Sequence, residues 1–473
     1  MPRRKRADGI QLERISTGVQ ALDKVLEGGI PRGSVVFIGG LPGAGKTILA
    51  EQMTWWNARR GETVLYIGTL SEPTVKMLHF SQTLNYFDAA LVDRSVVFAD
   101  ISDALKSGDP DQLLAEVDRL ITTHRPGLVV IDSFKAIQDT FSDAFAFRVF
   151  TTTLTLRFSV WEATALLVGE YTDEEIRQRS EFAIADGIIY LYGTEEGLRQ
   201  DRRLRIMKMR GTSFFAGDHG FEIDRDGITL YPRMSPAVAG EYVTPSRQLS
   251  SVIPGISEMI DGGLSDSTSC LITGTTGSGK TLLALSFAVC EAQLGNQVLY
   301  VSLEESANQL ARNCSAFGWD VAGLIESGKF AIMHISPSEL NIDRHAVLLK
   351  DRALEIGATV VVIDSISSFE AAALDIARFQ SYLWAINDHF KRAGITTIMT
   401  SESAPEAGSP TARHISLFAD AILNMGSVET DNALMRTIRV VKVRGSKHTT
   451  GVRELIVEAP RLLVSDVPPA TGG

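Results

Sequence analysis

Short apolar runs alternate with longer amphipathic stretches along the whole chain. In the first half such runs occupy 63–67, 128–131 and 165–168, and each is four or five residues long. Runs of this length, rich in Val, Ile and Leu, are typical of strands that are buried on both faces. The intervening segments are long enough for helices. The pattern therefore predicts an α/β fold, in which a mostly parallel sheet carries helices on both faces.

Landmarks of the first half recur in the second half at an offset of 232 or 234 residues. The pairs are Lys46 and Lys280, Asp132 and Asp364, Asp186 and Asp420, and Arg210 and Arg444. Such steady offsets indicate the duplication of one domain, with only short insertions between the copies.

The alternation of runs breaks down at 233–253, a stretch that contains several Pro, Gly and Ser residues. This composition is typical of a linker. We expect a first domain at 11–232 and a second domain at 254–460. A basic arm at 1–10 and a short tail at 461–473 are predicted to be disordered.

Each half contains one phosphate-binding loop of the pattern G-x-x-x-x-G-K-[ST], at 40–47 and 274–281. An apolar run precedes each loop and a helical pattern follows it. This order aims backbone amides and a helix N-terminus at a polyphosphate. The predicted ATP-binding residues are Gly43, Ala44, Gly45, Lys46, Thr47 and Ile48 in the first half, and Gly277, Ser278, Gly279, Lys280, Thr281 and Leu282 in the second.

Asp132 and Asp364 each end a buried apolar run downstream of a phosphate loop. A carboxylate at the tip of such a strand is well placed to hold Mg²⁺, together with the loop threonines Thr47 and Thr281. The sequence therefore predicts that ATP and Mg²⁺ bind in both halves.

Phosphoryl transfer also needs a group that orients or deprotonates the nucleophile. Glu304 and Glu305 follow an apolar run, 24 and 25 residues after the second phosphate-loop lysine, and are the candidate general bases. At the same spacing the first half has Leu70 and Ser71. Glu72 stands one position later, and it either replaces the base or leaves a site that hydrolyses ATP slowly.

A Lys and an Arg, two residues apart and followed by Gly, recur late in each half as Lys208 and Arg210, and as Lys442 and Arg444. On an extended strand these side chains point to one side. They are suited to contact the phosphate of a neighbouring subunit, as arginine fingers do. This interpretation requires a ring of subunits.

The chain carries 46 Lys and Arg against 57 Asp and Glu, a formal net charge of −11. This balance disfavours a protein whose main task is to grip a nucleic-acid backbone. No apolar run reaches the roughly 18 residues that a membrane helix needs. Cys270, Cys290 and Cys314 lack CxxC spacing and are expected to be reduced core residues of a cytoplasmic protein.

Together these motifs resemble the KaiC family of RecA-like ATPases, which includes the core protein of the cyanobacterial circadian clock. The similarity extends from about 11 to 460 and includes both phosphate loops, the Glu304–Glu305 pair, 317–320 and the two K-x-R-G-[ST] segments. The resemblance implies two tandem RecA-like P-loop NTPase domains and a hexamer of two stacked rings, with ATP between subunits. It also implies a slow ATP hydrolase in the first domain and a serine/threonine autokinase and autophosphatase in the second.

In the family, the self-phosphorylated residues are an adjacent Ser and Thr that follow a His-Ile pair. Here the matching residues are Ser416 and Leu417. Because leucine has no hydroxyl group, one acceptor is expected, Ser416. The alternative interpretation of Ser416 is a polar residue at a helix start near Asp420.

Two partner proteins are suggested by the same resemblance. Only 461–473 follow the second domain, so we do not expect a KaiA-like partner to dock through a long tail. A KaiB-like or other signalling partner of the first ring is left open by the sequence.

Two other functions remain open at this point. RecA-like recombinases and replicative helicases share this core, which makes a DNA-processing motor one alternative. An ATP-gated scaffold without kinase activity is the other, and Leu70 and Ser71 favour it for the first ring. Salt-sensitive DNA binding would support the motor. Nucleotide-dependent assembly with negligible turnover would support the scaffold.

Overall fold

The computed structural model describes residues 12–69, 74–196, 199–234, 241–336, 340–373, 375–402, 416–430 and 433–465. The chain divides into two compact units between Arg233 and Met234. Each unit is described by itself below. Within the described ranges, no helix is long and apolar enough to cross a bilayer.

The first unit alternates strands and helices for most of its length. Its strands are β1 Arg14–Ile15, β2 Ile30–Pro31, β3 Val35–Gly40, β4 Val64–Gly68, β5 Val96–Asp100, β6 Leu128–Asp132, β7 Thr164–Glu170, β8 Gly187–Glu196, β9 Arg199–Met209, β10 Asp218–Asp224 and β11 Gly227–Tyr231. Its helices are α1 Gln20–Val25, α2 Lys46–Ala58, α3 Thr74–Ser81, α4 Ser102–Lys106, α5 Pro110–His124, α6 Phe134–Gln138, α7 Ala144–Val160, α8 Asp173–Gln178 and α9 Glu181–Ile184, with a 3₁₀ turn at Ala89–Leu91.

The second unit repeats this order. Its strands are β12 Gln248–Leu249, β13 Leu264–Ser265, β14 Ser269–Gly274, β15 Val298–Ser302, β16 Phe330–His334, β17 Val360–Asp364, β18 Thr396–Glu402, β19 Ala421–Thr430, β20 Ala433–Val443, β21 Arg453–Glu458 and β22 Arg461–Val464. Its helices are α10 Ile256–Met259, α11 Lys280–Gln293, α12 Ala307–Ser315, α13 Val321–Glu326, α14 Ile342–Glu355, α15 Ile366–Ala372 and α16 Ile376–Arg392.

Each unit is built on a mixed sheet, of nine strands as far as the described residues show. The strand order is β11-β10-β9-β8-β3-β7-β6-β4-β5 in the first unit and β16-β15-β17-β18-β14-β19-β20-β21-β22 in the second. The strands from β8 to β5 are parallel, and β9 to β11 are antiparallel. The predicted α/β fold, a mostly parallel sheet with helices on both faces, is confirmed for both halves.

The core of each unit lies on both faces of its sheet because successive strand residues point to opposite sides. In β3, Val36 and Ile38 pack in one buried cluster, whereas Val35 and Phe37 pack in the other. In β14, Leu271 likewise faces away from Cys270 and Ile272. Burial on both faces explains why these strands appear in the sequence as continuous apolar runs.

The domain boundaries need two corrections. The predicted linker, 233–253, is structured in its second part, because β12 pairs with β13 and Arg247 forms an ion pair with the fully buried Glu291. The predicted tail, 461–473, begins with a strand, since β22 pairs with β21. Short edge strands with few apolar residues carry little periodicity, which is why the pattern missed them. The predicted arm, 1–10, lies outside the described residues.

Candidate nucleotide sites

Both phosphate loops lie at the edge of the sheet where the parallel strands end, which is where open α/β sheets bind their ligands. In the first unit β3, β6 and β7 end together, with Gly40 beside Glu170 and Asp132 beside Val168. A cavity of about 310 Å³ opens at this edge, and Lys46, Asp132 and Glu170 are among its lining residues.

Glycines give the two loops the same backbone path. Gly43 and Gly45 have φ angles of +74° and +98°, and Gly277 and Gly279 have +76° and +97°. This left-handed region strongly favours glycine. A Cβ atom at Gly45 would also lie 2.7 Å from Cδ1 of Ile223. The path lets α2 begin at Lys46 and α11 begin at Lys280, so that the amides of each first turn face the loop.

The loop lysines fold back onto their own loops. Nζ of Lys46 donates to the Leu41 carbonyl at 2.9 Å, and Nζ of Lys280 donates to the Thr275 carbonyl at 2.9 Å. Burial lowers the pKa of both ammonium groups, and nearby carboxylates oppose this effect. Burial takes the two ammonium groups out of water, and the negative charge of a bound phosphate would compensate for that loss of hydration. The hydroxyl of Ser278 is buried without a hydrogen-bond partner among the described residues, and a phosphate oxygen would suit it.

The two strand-end aspartates are held by tyrosine hydroxyls. Tyr66 Oη donates to Asp132 at 3.0 Å, and Tyr300 Oη donates to Asp364 at 2.7 Å. In the first unit Thr47 Oγ1 also donates to Asp132, at 2.9 Å.

In the second unit Asp364 is 8% exposed and accepts a further hydrogen bond from Thr400. Thr281 lies in the first turn of α11. Carboxylate and hydroxyl oxygens are the donors that Mg²⁺ prefers, so both Asp–Thr sets fit this ion.

Sequence reasoning missed a second carboxylate at each site. Glu170 ends β7 and Glu402 ends β18, and these residues are the principal charges that raise the pKa of Lys46 and Lys280 against burial. Glu402 also accepts a hydrogen bond from Thr276 of the loop at 2.9 Å. The signal was present, because the two glutamates are separated by the same offset of 232 as the two strand-end aspartates.

The structure brings Glu304 to the start of α15, next to Asp364. Oε1 of Glu304 accepts hydrogen bonds from Ser368 Oγ at 2.6 Å and Ser365 Oγ at 3.2 Å. Glu304 also contributes to raising the pKa of Lys280, so its charge acts on the phosphate loop.

Glu305 lies deeper than its neighbour Glu304. Burial raises the pKa of Glu305, the charges of Asp364 and Glu304 raise it further, and a hydrogen bond from Asn313 at 3.0 Å opposes the rise. The first unit offers no such comparison, because Leu70, Ser71 and Glu72 lie outside the described residues.

The basic pairs lie at the opposite edge of each sheet. The amide of Arg210 donates to Asp186, which is level with Val35, and the amide of Arg444 donates to Asp420, level with Ser269. Five residue steps along the strand separate this level from Gly40 and Gly274, the first residues of the loops, roughly 16 Å at 3.3 Å per residue. Each pair therefore stands far from the phosphate loop of its own unit.

In the second unit the basic pair holds the backbone around Ser416. Lys442 Nζ donates to the carbonyls of Ser416 at 3.2 Å and Ala419 at 2.7 Å, and Arg444 Nη2 donates to that of Leu417 at 3.1 Å. Ser416 is partly exposed, and Leu417 is 72% exposed.

In the first unit Lys208 and Arg210 both donate to the carbonyl of Ala183, the counterpart of Leu417, and Arg210 also donates to that of Ile184. The residue that corresponds to Ser416 is Phe182, which is 2% exposed and packs edge-on against Phe37 and Tyr171. The first unit therefore has no hydroxyl group at this position.

Comparisons with known proteins agree with this duplicated architecture. The family model described as "ATPase: KaiC" matches residues 15–235 and 249–464. The chain is 28% identical to the circadian clock oscillator protein KaiC of Picosynechococcus sp., over 96% of this chain and 90% of the relative. It is 26% identical to that of Rippkaea orientalis, over 96% and 89%, and 27% identical to KaiC 1 of Synechocystis sp., over 94% and 87%.

Proposed function

The chain belongs to the KaiC family of ATPases, and from this premise we propose that it is a Mg²⁺-dependent ATPase whose second domain is also a serine autokinase and autophosphatase. The protein assembles as a hexamer of two stacked rings, and ATP lies between adjacent subunits. Ser416 is the phosphoacceptor. The phosphorylation state and the bound nucleotide together form a clock-type signalling switch, which a KaiB-like partner reads.

One observation carries the kinase part of this proposal. Lys442 and Arg444 bond the carbonyls of the segment that contains Ser416, and they do so roughly 16 Å along the strand from their own phosphate loop. Any subunit that presents this basic pair to a neighbour's ATP therefore presents the Ser416 hydroxyl with it. The positive side chains would stabilise the transferring phosphoryl group while the same corner supplies the nucleophile.

The residues of the second site divide the chemistry between them. Lys280 and the loop amides bind the phosphates, and Asp364 with Thr281 would hold Mg²⁺, which neutralises charge on the phosphates when bound. Glu304 accepts the proton of the Ser416 hydroxyl that the neighbouring subunit presents, as that Oγ bonds to the γ-phosphorus. The bond from that phosphorus to the bridging oxygen breaks, and ADP leaves with the electron pair. Water in place of the hydroxyl gives hydrolysis.

The first site has a different role. It has the phosphate loop, Asp132 and Glu170, but Leu70 and Ser71 replace the carboxylate pair, and Phe182 replaces the acceptor. We assign to it ATP binding with slow hydrolysis, which makes the first ring an ATP-gated scaffold for the assembly. The acidic net charge of −11 favours this function over a DNA-processing motor.

The test is to incubate the full-length protein with labelled ATP and Mg²⁺ and to map covalent phosphate by mass spectrometry. We expect phosphate on Ser416, which Ser416→Ala removes and Glu304→Gln strongly reduces. Ser381→Ala is the matched control, because that serine lies on the exposed face of α16 and bonds only its own helix in the described contacts. Release of ADP without any phosphate on Ser416 would contradict the kinase assignment and leave the ATPase.

A further inference from the structure

The second site contains a nucleophile and a base already in contact. Ser368 Oγ donates to Glu304 Oε1 at 2.6 Å, and Ser365 Oγ lies 3.2 Å from the same oxygen and 2.8 Å from Ser368 Oγ. A hydroxyl group within hydrogen-bond reach of a carboxylate, with a third group orienting the pair, is the geometry of an activated serine. Ser368 is also partly exposed, so a phosphoryl group could reach it.

This pair belongs to the nucleotide site of its own subunit. Ser368 lies on the first turn of α15, four residues after Asp364, and Glu304 acts electrostatically on Lys280. Ser367, between the two serines of the cluster, bonds the amide of Glu402, which in turn bonds the loop residue Thr276. A continuous set of hydrogen bonds therefore ties the turn that carries Ser368 to the phosphate loop.

We propose that Ser368 is a second phosphoacceptor, modified by the ATP that is bound in the second domain of the same subunit. The proposal rests on the kinase function argued above. Ser368 Oγ bonds to the γ-phosphorus, and its proton passes to Glu304. The bond between that phosphorus and the bridging oxygen breaks, and ADP leaves with the electron pair. The products are ADP and phosphoserine, so no further reactant is needed.

Phosphorylation of Ser368 would also slow phosphoryl transfer at the second site itself. A phosphoserine carries about −1.5 to −2 charges at neutral pH and would stand beside the Glu304 carboxylate, where like charges repel. Phosphorylated Ser368 would therefore displace the base and slow transfer to Ser416. The first half cannot do this, since Ala136 occupies the position of Ser368 and Leu70 that of Glu304.

The experiment uses the full-length protein with MgATP, followed by phosphopeptide mapping of the wild type, of four test variants and of one control variant. Phosphate on Ser368 is expected in the wild type and in Ser416→Ala, on the new hydroxyl in Ser368→Thr, at about 100-fold lower yield in Glu304→Gln, and not in Ser368→Ala. Ser381→Ala again serves as the surface control.

Unmodified Ser368 with normal ADP release would overturn this proposal and leave the proposed ATPase intact, with Ser368 acting only to orient Glu304. Absence of ADP release from the wild type would overturn both. A mixture of Lys280→Ala and Ser368→Ala subunits tests the source of the phosphate. Transfer within one subunit leaves Ser368 of the Lys280→Ala chain unmodified, and phosphate on that chain would overturn the within-subunit assignment.

Discussion

The two halves of this chain share one fold and differ at four positions that the proposed chemistry uses. Both halves contain the phosphate loop, the strand-end aspartate, the tyrosine that bonds this aspartate, and the basic pair. The second half has Glu304, Glu305, Ser368 and the proposed acceptor Ser416, where the first half has Leu70, Ser71, Ala136 and Phe182. The shared residues are those that would bind a nucleotide, and the differing residues are those that would act on its terminal phosphate.

Under the proposed function, the two copies of the duplicated domain keep the residues for nucleotide binding and differ in the residues for chemistry. A site that keeps the phosphate-binding residues but lacks a base and an acceptor would bind ATP without transferring its terminal phosphate. We therefore expect the first domain to respond to nucleotide binding and the second domain to carry out phosphoryl transfer.

The largest expected effect comes from the loop lysines. Lys280→Ala should lower phosphoserine formation by about 10³- to 10⁵-fold, because a cation on the transferring phosphate has an effect of this size. Lys46→Ala should remove nucleotide from the first domain and leave transfer in the second. Mass spectrometry measures the phosphoserine, and chromatography of denatured protein counts the bound nucleotides. Phosphoserine that still forms in Lys280→Ala would contradict the assignment of phosphoryl transfer to the second domain.

The next effect concerns the position that is Phe182 in one half and Ser416 in the other. Phe182→Ala should destabilise the first domain by about 3 to 4 kcal/mol, since it empties a buried aromatic site. Ser416→Ala should change the stability of the second domain by about 1 kcal/mol or less, because a partly exposed polar side chain has at most about one hydrogen bond to lose. Thermal unfolding of both variants measures the contrast. Equal losses would show that Ser416 is structural.

A smaller effect is expected from Arg444→Lys. Lysine keeps the charge but loses the planar fork that bonds the Leu417 carbonyl, so phosphorylation of Ser416 should fall by about tenfold, a change of ~1.4 kcal/mol. Arg210→Lys is the matched variant in the first half and should leave phosphorylation of Ser416 unchanged. If both variants lower the phosphorylation of Ser416 equally, the two basic pairs do not have separate roles.

The fold was predictable from the sequence because strands buried on both faces leave continuous apolar runs, and because the repeat confirms each run twice. The same repeat located the loops, the aspartates and the basic pairs. The repeat did not reveal which side chains contact one another. Ser365 and Ser368 are ordinary polar residues in the sequence, and only the path of α15 brings them to Glu304.

The boundaries were less predictable for a related reason. β12 has two residues and β22 has four, too few to establish a period of two. Glu170 and Glu402 were missed because a charge after an apolar run usually marks only the end of a strand. Their effect on Lys46 and Lys280 depends on distances across the sheet, which the sequence does not contain.

The smallest effect concerns pH. Burial raises the pKa of Glu305, and Asp364 and Glu304 add to the rise, so this carboxyl group keeps its proton to a higher pH than an ordinary glutamate. Ser71 occupies its position in the first half. ADP formation by the second domain, measured in Lys46→Ala, should therefore lose activity on the acid side at a higher pH than ADP formation by the first domain, measured in Lys280→Ala.

The sign can be checked through Asn313, whose hydrogen bond to Glu305 lowers the pKa. Asn313→Ala should move the acid side of the second-domain profile to still higher pH, by a small amount, because one such bond contributes about 1 kcal/mol or less. Asn308→Ala, an exposed position on the same helix, should leave the acid side of the profile in place.

The free energy of unfolding follows the same linkage to pH. The folded protein binds this proton more tightly than the unfolded chain, so the contribution of Glu305 is present below the usual carboxyl pKa and is lost as pH rises through the raised value. A profile that moves to lower pH in Asn313→Ala would contradict an ionised Glu305 as part of the second site.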